Sequence, residues 1–341
     1  MIEVDYNGIM NSELSLEAFK KSIPLEVIEY LDDIHKKDFP KVVYTSFNGD
    51  YIGYINRMVY NTLKQGHIPI NPECALGYYL ATESLNNSKV DTMIACIALV
   101  LYCDEFWVYI DDIGDLKSIP EGVIAEMIAW LEVNKQDESV RVIKGEHKDA
   151  TILKGLTSVK NQNAYSVNQI NVEVEKIKIS SILECLDAEF IFEIRKNLLN
   201  HLEDRGMVCK FVSFDFRDEK HADWARRYCY KKWCVGILPN SLLNPFVVDM
   251  VYGEEFYSEY LLQRAALLSK SDTVLLFLKP DCYVKQHFSL SIDVVSDIYY
   301  SLKNGIRIEM LDWRDAQVPK YIDKSWALTN KEYKEVFNGN R

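Results

Sequence analysis

The sequence has no apolar segment long enough to cross a bilayer. Its longest apolar run is the eleven residues Met93–Cys103, bounded by Asp91 and Asp104, whereas a membrane helix needs about 20 residues. The first residues, Met1–Tyr6, show no basic segment followed by an apolar stretch, so we expect no secretory signal. The apolar run therefore predicts a buried helix, and we expect a cytoplasmic protein with no membrane partner.

Common cofactor and metal motifs are missing too. The chain contains no GxGxxG or GxxxxGK[ST] string for dinucleotides or triphosphates, and no HExxH or Cys-His cluster for a metal. Its eight cysteines include no CxxC pair, and most of them fall within apolar runs. We therefore expect no cofactor, no metal site and reduced, buried thiols.

An excess of basic residues is likewise absent. The formal net charge is −12 over 341 residues, which disfavours a nucleic-acid polymer as partner because such binding depends on clustered Lys and Arg. A small anionic ligand remains compatible with this charge, because a helix N-terminus can bind phosphate.

What the chain does contain is a long-range repeat, with the same order of signals near a spacing of 170 residues. The matching positions are Val43 with Val212, Gly66 with Gly236, and Asp104 with Asp272. Helical segments at 16–37 and 183–205 lead into the two copies. Because solenoid repeats run to only about 20–50 residues, this spacing predicts duplicated domains. We place the first domain, with its leading helix, at 1–145 and the second, diverged domain at 181–341. The polar segment 146–180 is a linker, a hairpin excursion or a lid.

Each half alternates β-rich runs with amphipathic helices. This pattern predicts an α/β fold with two tandem Rossmann-like, flavodoxin-like domains, mostly parallel sheets and a pseudo-two-fold relation. The predicted strands are 42–46, 68–71, 106–110 and 140–143, then 211–214, 236–238, 274–278 and 306–311. The predicted helices are 53–65, 89–103 and 122–133, then 221–232, 255–269 and 292–304. Ligands of such sheets bind beyond the carboxyl ends of the strands.

An acidic segment follows the third strand of the first half. It contains Asp111, Asp112 and Asp115, and a helix then starts near Gly122 and places Glu126 about one turn inside. The apolar residues Val123, Met127 and Trp130 flank Glu126 on that helix. A carboxylate beside an apolar face is partly desolvated, which suits a nucleophile or a general acid.

Several short motifs occur in a consistent order in both halves. They are Val43-Tyr-Thr-Ser46, Gly66-His-Ile-Pro69, Asn71-Pro72, Cys103-Asp-Glu-Phe-Trp-Val108 and Gly122-Val-Ile-Ala-Glu126, then Ala225-Arg-Arg-Tyr-Cys229 and Ser271-Asp-Thr-Val-Leu275. With them the chain resembles the nucleoside 2-deoxyribosyltransferase-like superfamily, including its nucleotide N-glycosidase branch. Departures are Phe47 and Phe216 at the usual first-strand proline, and Pro120 at the usual serine. In the second half, Asp293 and Asp297 replace the glycine and the glutamate, and Ser291 is retained.

The resemblance implies attack at the anomeric carbon of a nucleoside or nucleotide through an oxocarbenium-like transition state. Glu126 would be the nucleophile and Tyr44 would orient it. Asp111, as a catalytic residue, or Asp112 would contact the leaving base.

The same resemblance implies a set of substrate contacts. Ser118 and the Gly122 backbone would hold ribose or phosphate. The other predicted substrate-binding residues are Ser46, Asn48, Asp112, Ser213, Ser291 and Asp297. Asp297 is one methylene shorter than a glutamate and lies near Asp293 in sequence, so like-charge repulsion predicts a weakened or inactive second half.

Family members build their sites at subunit contacts. The duplication then predicts an intramolecular pseudo-dimer whose interdomain side chains complete each pocket, and a homo-oligomer is possible. The leading interpretation is an enzyme that hydrolyses or transfers the N-glycosidic bond of a nucleotide or deoxynucleoside. The main alternative is a catalytically inactive protein that binds a nucleotide or a nucleotide-derived signal. A third interpretation, NAD cleavage like that of Toll/interleukin-receptor domains, matches the order of motifs less well.

Overall fold

The computed structural model describes residues 2–5, 15–47, 55–77, 89–110, 119–133, 139–144, 173–214, 219–243, 245–277, 283–284 and 287–310. Within these ranges the strands are β1 (Ile2–Asp5), β2 (Val42–Phe47), β3 (Ile68–Ile70), β4 (Glu105–Ile110), β5 (Ser139–Lys144), β6 (Glu173–Lys178), β7 (Val208–Ser213), β8 (Cys234–Ile237), β9 (Thr273–Leu276), β10 (Tyr283–Val284), β11 (His287–Leu290) and β12 (Arg307–Met310). The helices of the first part of the chain are α1 (Leu16–Lys21), α2 (Leu25–His35), α3 (Ile55–Lys64), α4 (Pro72–Leu76), α5 (Lys89–Tyr102), α6 (Glu121–Val133), α7 (Ile179–Leu183) and α8 (Ala188–Arg205). Those of the second part are α9 (Glu219–Lys231), α10 (Pro239–Leu242), α11 (Pro245–Tyr252), α12 (Phe256–Leu268) and α13 (Ile292–Asn304), and a short 3₁₀ turn covers Gly253–Glu255.

Two sheets with parallel strands form the framework. The first has the order β3-β2-β4-β5-β6, in which only the β5–β6 pair is antiparallel, and the second has the order β8-β7-β9-β12 with parallel pairs throughout. In both sheets the first strand along the chain lies between the second and the third, the order of a doubly wound α/β sheet. The predicted α/β fold with mostly parallel sheets is confirmed.

A third, small sheet is antiparallel and was not predicted. It has the order β1-β11-β10 and joins Ile2–Asp5 to a hairpin near residue 287. Its strands have two to four residues each, too few to show a reliable alternation in sequence. Part of the polar segment 146–180 is also ordered, since β6 adds to the edge of the first sheet.

The strand pairings of the two sheets are similar, with an offset of 167 residues between β2 and β7 and of 168 residues between β4 and β9. Tyr44 lies opposite Phe106 and Ser46 opposite Val108, while Phe211 lies opposite Val274 and Ser213 opposite Leu276. Tyr44 therefore corresponds in position to Phe211, and Ser46 corresponds to Ser213. The sequence-based match of Val43 with Val212 is two residues out of register. A slip of two leaves each side chain on the same face of its strand, so the hydrophobic pattern does not detect it.

The match of Gly66 with Gly236 is also wrong. Gly66 is in a left-handed turn before β3, with φ 75°, whereas Gly236 lies within β8. The residue in the corresponding turn before β8 is Trp233, with φ 54°. Gly236 is needed for a different reason, because a Cβ there would lie 2.9 Å from Leu238 Cδ1 and 3.0 Å from Cys229 Sγ.

Helix α5 is the centre of the core. Its residues from Ile94 to Val100 are all buried, which confirms the buried helix that the long apolar run predicts. The helix contacts β2 of the first sheet and both β7 and β8 of the second sheet. One continuous cluster of buried side chains therefore includes residues of both halves.

The leading helices pack against the opposite half of the chain. α1 and α2 lie against α13 and α12, where Phe19, Leu31 and Ile34 join an apolar cluster with Val294 and Ile298. α8 in turn packs on α6 and α5. The leading segment of the first predicted domain thus covers helices of the second, and the leading segment of the second covers helices of the first.

Candidate functional site

Glu126 is held by two hydroxyl groups at the carboxyl end of β2. The Tyr44 hydroxyl donates to Oε1 and the Ser46 hydroxyl donates to Oε2, each at 2.6 Å. Glu126 is 6% exposed, and Tyr44 and Ser46 are fully buried. The structure therefore brings these three predicted site residues together, at the edge of the sheet where ligands of parallel sheets bind.

The local sequence explains why the carboxylate points there. α6 begins at Glu121, and Glu126 is its sixth residue, so its side chain emerges in the second turn. Phe106 on β4 stacks on the Tyr44 ring with centroids 5.5 Å apart, and it also contacts Trp130 one turn beyond Glu126. This aromatic row fixes the strand and the helix together.

Burial raises the pKa of Glu126 from 4.5 to about 7. The hydrogen bonds from Ser46, Tyr44 and the Cys96 thiol on α5 oppose this rise, because each stabilises the ionised form. Among the described residues, no lysine or arginine bonds to this carboxylate. The acid is therefore held by neutral donors and changes its charge near neutral pH.

Asp297 takes the corresponding place in the second half. It is the sixth residue of α13, as Glu126 is of α6, and it accepts a 2.6 Å hydrogen bond from Ser213. Ser213 in turn corresponds to Ser46. The serine and the helix acid thus occur at matching positions in both halves.

The partners of Asp297 differ in one decisive respect. Arg264 on α12 is fully buried and forms an ion pair with Asp297, through Nη2 to Oδ2 and through Nε to Oδ1 at 3.2 Å. The Arg264 guanidinium also lies over the rings of Phe211 and Tyr260, 5.8 and 5.6 Å from their centroids. Burial raises the pKa of Asp297 and the guanidinium opposes that rise, while Asp297 raises the pKa of Arg264. Both carboxylate oxygens are engaged inside the protein.

This pairing bears on the prediction of a weakened or inactive second half. Sequence analysis bases that prediction on the shorter side chain of Asp297 and on repulsion from Asp293. In the structure Asp293 also raises the pKa of Arg264, so its charge acts on the guanidinium that neutralises Asp297. Asp297 therefore has a buried counter-charge in Arg264 and does not face an unbalanced repulsion from Asp293.

A contact between the halves reaches the border of the first site. Arg226 on α9 donates through Nε to the Ala75 carbonyl at 3.1 Å and through Nη2 to the Cys74 carbonyl at 2.6 Å. The Tyr230 hydroxyl donates to the Leu76 carbonyl at 2.8 Å. These carbonyls belong to the last residues of α4, where the helix itself leaves acceptors unused. The second half therefore fixes α4, which follows β3 and contacts β2 and α5.

The other predicted site residues divide into two groups. Asn48, Asp111, Asp112 and Ser118 lie outside the described residues. Gly122 is the second residue of α6, and a Cβ there would lie 3.2 Å from Met93 Cε, so its absence lets α6 approach α5. Ser291 precedes α13 as its N-cap, and its side chain makes no capping hydrogen bond.

Arg264 and Cys96 were missed by the sequence analysis. A signal exists for Arg264, because it is a lone cation within the apolar string Leu261-Leu-Gln-Arg-Ala-Ala-Leu-Leu268 and such a residue needs a buried partner. For Cys96 the apolar surroundings of Met93–Cys103 give no such signal, because a buried cysteine is ordinary there.

Two absences hold for the described ranges. None of their helices combines the length and the apolarity that a bilayer crossing needs. Nor do these ranges contain a group of three or more His, Cys, Asp or Glu side chains that could hold a metal ion.

Comparison of the chain with protein-family models, with curated proteins and with solved structures gives no match.

Proposed function

We propose that the first half of the chain cleaves or transfers the N-glycosidic bond of a nucleotide or deoxynucleoside, with Glu126 as the carboxylate that attacks or stabilises the anomeric centre. One observation carries this proposal. Glu126 is buried at the carboxyl end of β2 and both its oxygens are oriented by neutral hydroxyl donors, Tyr44 and Ser46. Such a group is positioned, reactive and able to ionise near neutral pH.

The chemistry follows from the position of the two oxygens. Each oxygen uses one lone pair to accept a hydroxyl, so another lone pair remains for a sugar carbon. As the bond from the anomeric carbon to the base nitrogen breaks, its electron pair leaves with the base, which takes up a proton from solvent; the incoming water or second base later releases one to solvent. Glu126 bonds to the anomeric carbon or balances its positive charge. Water or a second base then takes the sugar, which gives hydrolysis or transfer.

We also propose that the two halves are a tandem duplication related as a pseudo-dimer. The matching order of four strands, β3-β2-β4-β5 and β8-β7-β9-β12, supports this, as do the serine and acid at matching positions, Ser46 with Glu126 and Ser213 with Asp297. The ends of α5 and α12 also meet, since the Tyr102 hydroxyl donates to the Leu267 carbonyl. In this account only the first half is active, because Arg264 neutralises the acid of the second.

The test is release of free base from a panel of nucleotides and deoxynucleosides by the parent and by Glu126→Gln. Glu132→Gln is the matched control, because Glu132 lies later on the same helix and pairs with Arg195 at 2.9 Å, not with Tyr44 or Ser46. We expect Glu126→Gln to lose about 10³-fold or more of the activity and the control to keep it. Unchanged turnover in Glu126→Gln would remove this residue from the mechanism. A ligand that is retained but not cleaved by the parent would favour the nucleotide-binding alternative.

A further inference from the structure

Cys96 and Arg264 occupy corresponding places beside the two helix acids. Each lies nine residues before the first residue of the strand that follows its helix, β4 for Cys96 and β9 for Arg264. Their helices pack alike, α5 against α6 and α12 against α13. Arg264 bonds to the carboxylate of Asp297, and the Cys96 thiol lowers the pKa of the Glu126 carboxylate, so the side chain at this position acts on the helix acid in both halves.

In the second half, Arg264 at this position makes the Asp297 carboxylate unavailable to a substrate. Arg264 bonds to both oxygens of Asp297, and Ser213 donates to Oδ2 as well. A guanidinium has five N–H donors in a fixed fork and stays charged, so it fills the lone pairs of a carboxylate and cancels its charge. Asp297 is thereby a structural group.

In the first half the same position carries a small neutral donor. Cys96 is 8% exposed, and burial raises the pKa of its thiol, so the thiol keeps its proton. A thiol is a weak donor and has one proton to give, so it supports a carboxylate without occupying it fully.

We propose that Cys96 is a positioning residue for Glu126, and that a neutral thiol at this place, instead of the guanidinium that Arg264 supplies to Asp297, leaves Glu126 available to a substrate. The inference rests on the proposed function of Glu126. It goes beyond that function because it names one position, Cys96 in the first half and Arg264 in the second, at which the side chain decides whether the helix acid is available.

Among the described residues, Tyr44 and Ser46 on β2 donate hydrogen bonds to Glu126, and the Cys96 thiol on α5 lowers the pKa of Glu126. Glu73 on α4 acts on the Cys96 thiol and raises its pKa further. On α8, Arg195 pairs with Glu132 and Arg205 pairs with Asp91. Removal of the Cys96 donor is therefore expected to shift the titration of Glu126 directly.

The test measures the titration of Glu126 by carbon NMR on protein labelled at the glutamate side-chain carboxyls. The Glu126 signal is assigned as the one that is missing in Glu126→Gln. We expect Cys96→Ala to move the midpoint upward by about half a pH unit or more, because a donor to the ionised form is lost. Cys96→Ser keeps a donor, so its midpoint is expected to lie close to that of the parent. Cys103→Ala is the matched control, since the Cys103 thiol donates to the Leu99 carbonyl on the same helix.

A Cys96→Ala midpoint equal to that of the parent, or a shift equal to that of Cys103→Ala, would overturn the role of Cys96. The titration needs no turnover. If it shifts as expected while no base is released by the parent, the positioning role stands and the proposed function fails. If base is released and the titration does not move, the proposed function stands and the role of Cys96 fails. Cys96→Arg adds a gain-of-charge test, in which loss of base release with an intact fold supports the proposal and unchanged release contradicts it.

Discussion

The Tyr44 hydroxyl donates to Glu126 Oε1 at 2.6 Å from a ring that is completely buried. The bond crosses from strand β2 to helix α6, and Ser46 adds a second bond from the same strand. A buried acid with its two oxygens bound in this way has one orientation and a raised pKa. The consequences of that pKa for activity and for stability have opposite signs.

Ionisation of Glu126 lowers the stability of the folded protein. Its pKa of about 7 in the folded protein exceeds the ordinary 4.5, so between these pH values the folded state holds a proton that the unfolded state has lost. Stability from this group therefore falls as pH rises through that window, by about 3 kcal/mol in total. We expect the free energy of unfolding of Glu126→Gln, relative to that of the parent, to increase by about 3 kcal/mol between pH 4.5 and pH 8. Urea unfolding of both proteins at several pH values measures it, and a constant difference would contradict the raised pKa.

For activity, a nucleophile needs the ionised form. We expect the release of base to rise with pH through about 7, the pKa of Glu126. Tyr44→Phe removes one hydrogen bond to the carboxylate and is expected to move this acid limb upward by about one pH unit. Pre-steady-state rates across pH 5–9 test the shift. An acid limb that stays at the same pH in Tyr44→Phe would show that Tyr44 does not act on the titrating group.

The ion pair between Arg264 and Asp297 gives a prediction for the second half. Arg264→Met leaves Asp297 as an uncompensated buried charge and is expected to cost about 3–5 kcal/mol of folding free energy. Arg264→Met combined with Asp297→Leu removes both charges and is expected to recover most of that loss. Chemical unfolding of the two single variants and the double variant forms a thermodynamic cycle. Additive losses would show that the two side chains do not interact, and release of base by the first half is expected to continue in the double variant.

Arg226 links the second half to α4 of the first. Arg226→Met leaves the carbonyls of Cys74 and Ala75 without their donor, and we expect a loss of about 2–4 kcal/mol together with weaker activity. Lys231→Met on the exposed side of the same helix is the control and is expected to be nearly neutral. Thermal unfolding with a parallel assay of base release measures both effects. Full stability in Arg226→Met would contradict a structural role for this contact.

Much of the framework is predictable from the sequence. The helix and strand periods locate β2, α5, α6, β9 and α13 to within a few residues, because each buries a regular apolar face. The resemblance also implies that Tyr44 orients Glu126, but it places Ser46 among the substrate contacts, whereas in the structure Ser46 bonds to Glu126 as well.

The exact register and the pairing of charges are not predictable in this way. The correspondence of Trp233 with Gly66 depends on a backbone angle, because both residues have positive φ although their side chains share nothing. The ion pair of Arg264 with Asp297 joins residues 33 positions apart on two helices, and no local pattern requires it. The packing of each leading helix on the opposite half is not predictable either, because the apolar face of an amphipathic helix such as α2 does not specify which half it covers.

The central claim, that this chain breaks N-glycosidic bonds through Glu126, is tested most directly by mass spectrometry. The parent protein and Glu126→Gln are incubated with pooled nucleotides, deoxynucleosides and NAD, and both free bases and retained ligands are identified. We predict a free base and its matching sugar product with the parent and neither with Glu126→Gln. Intact ligand retained by the parent with no base formed, or equal base formation by both proteins, would contradict the claim.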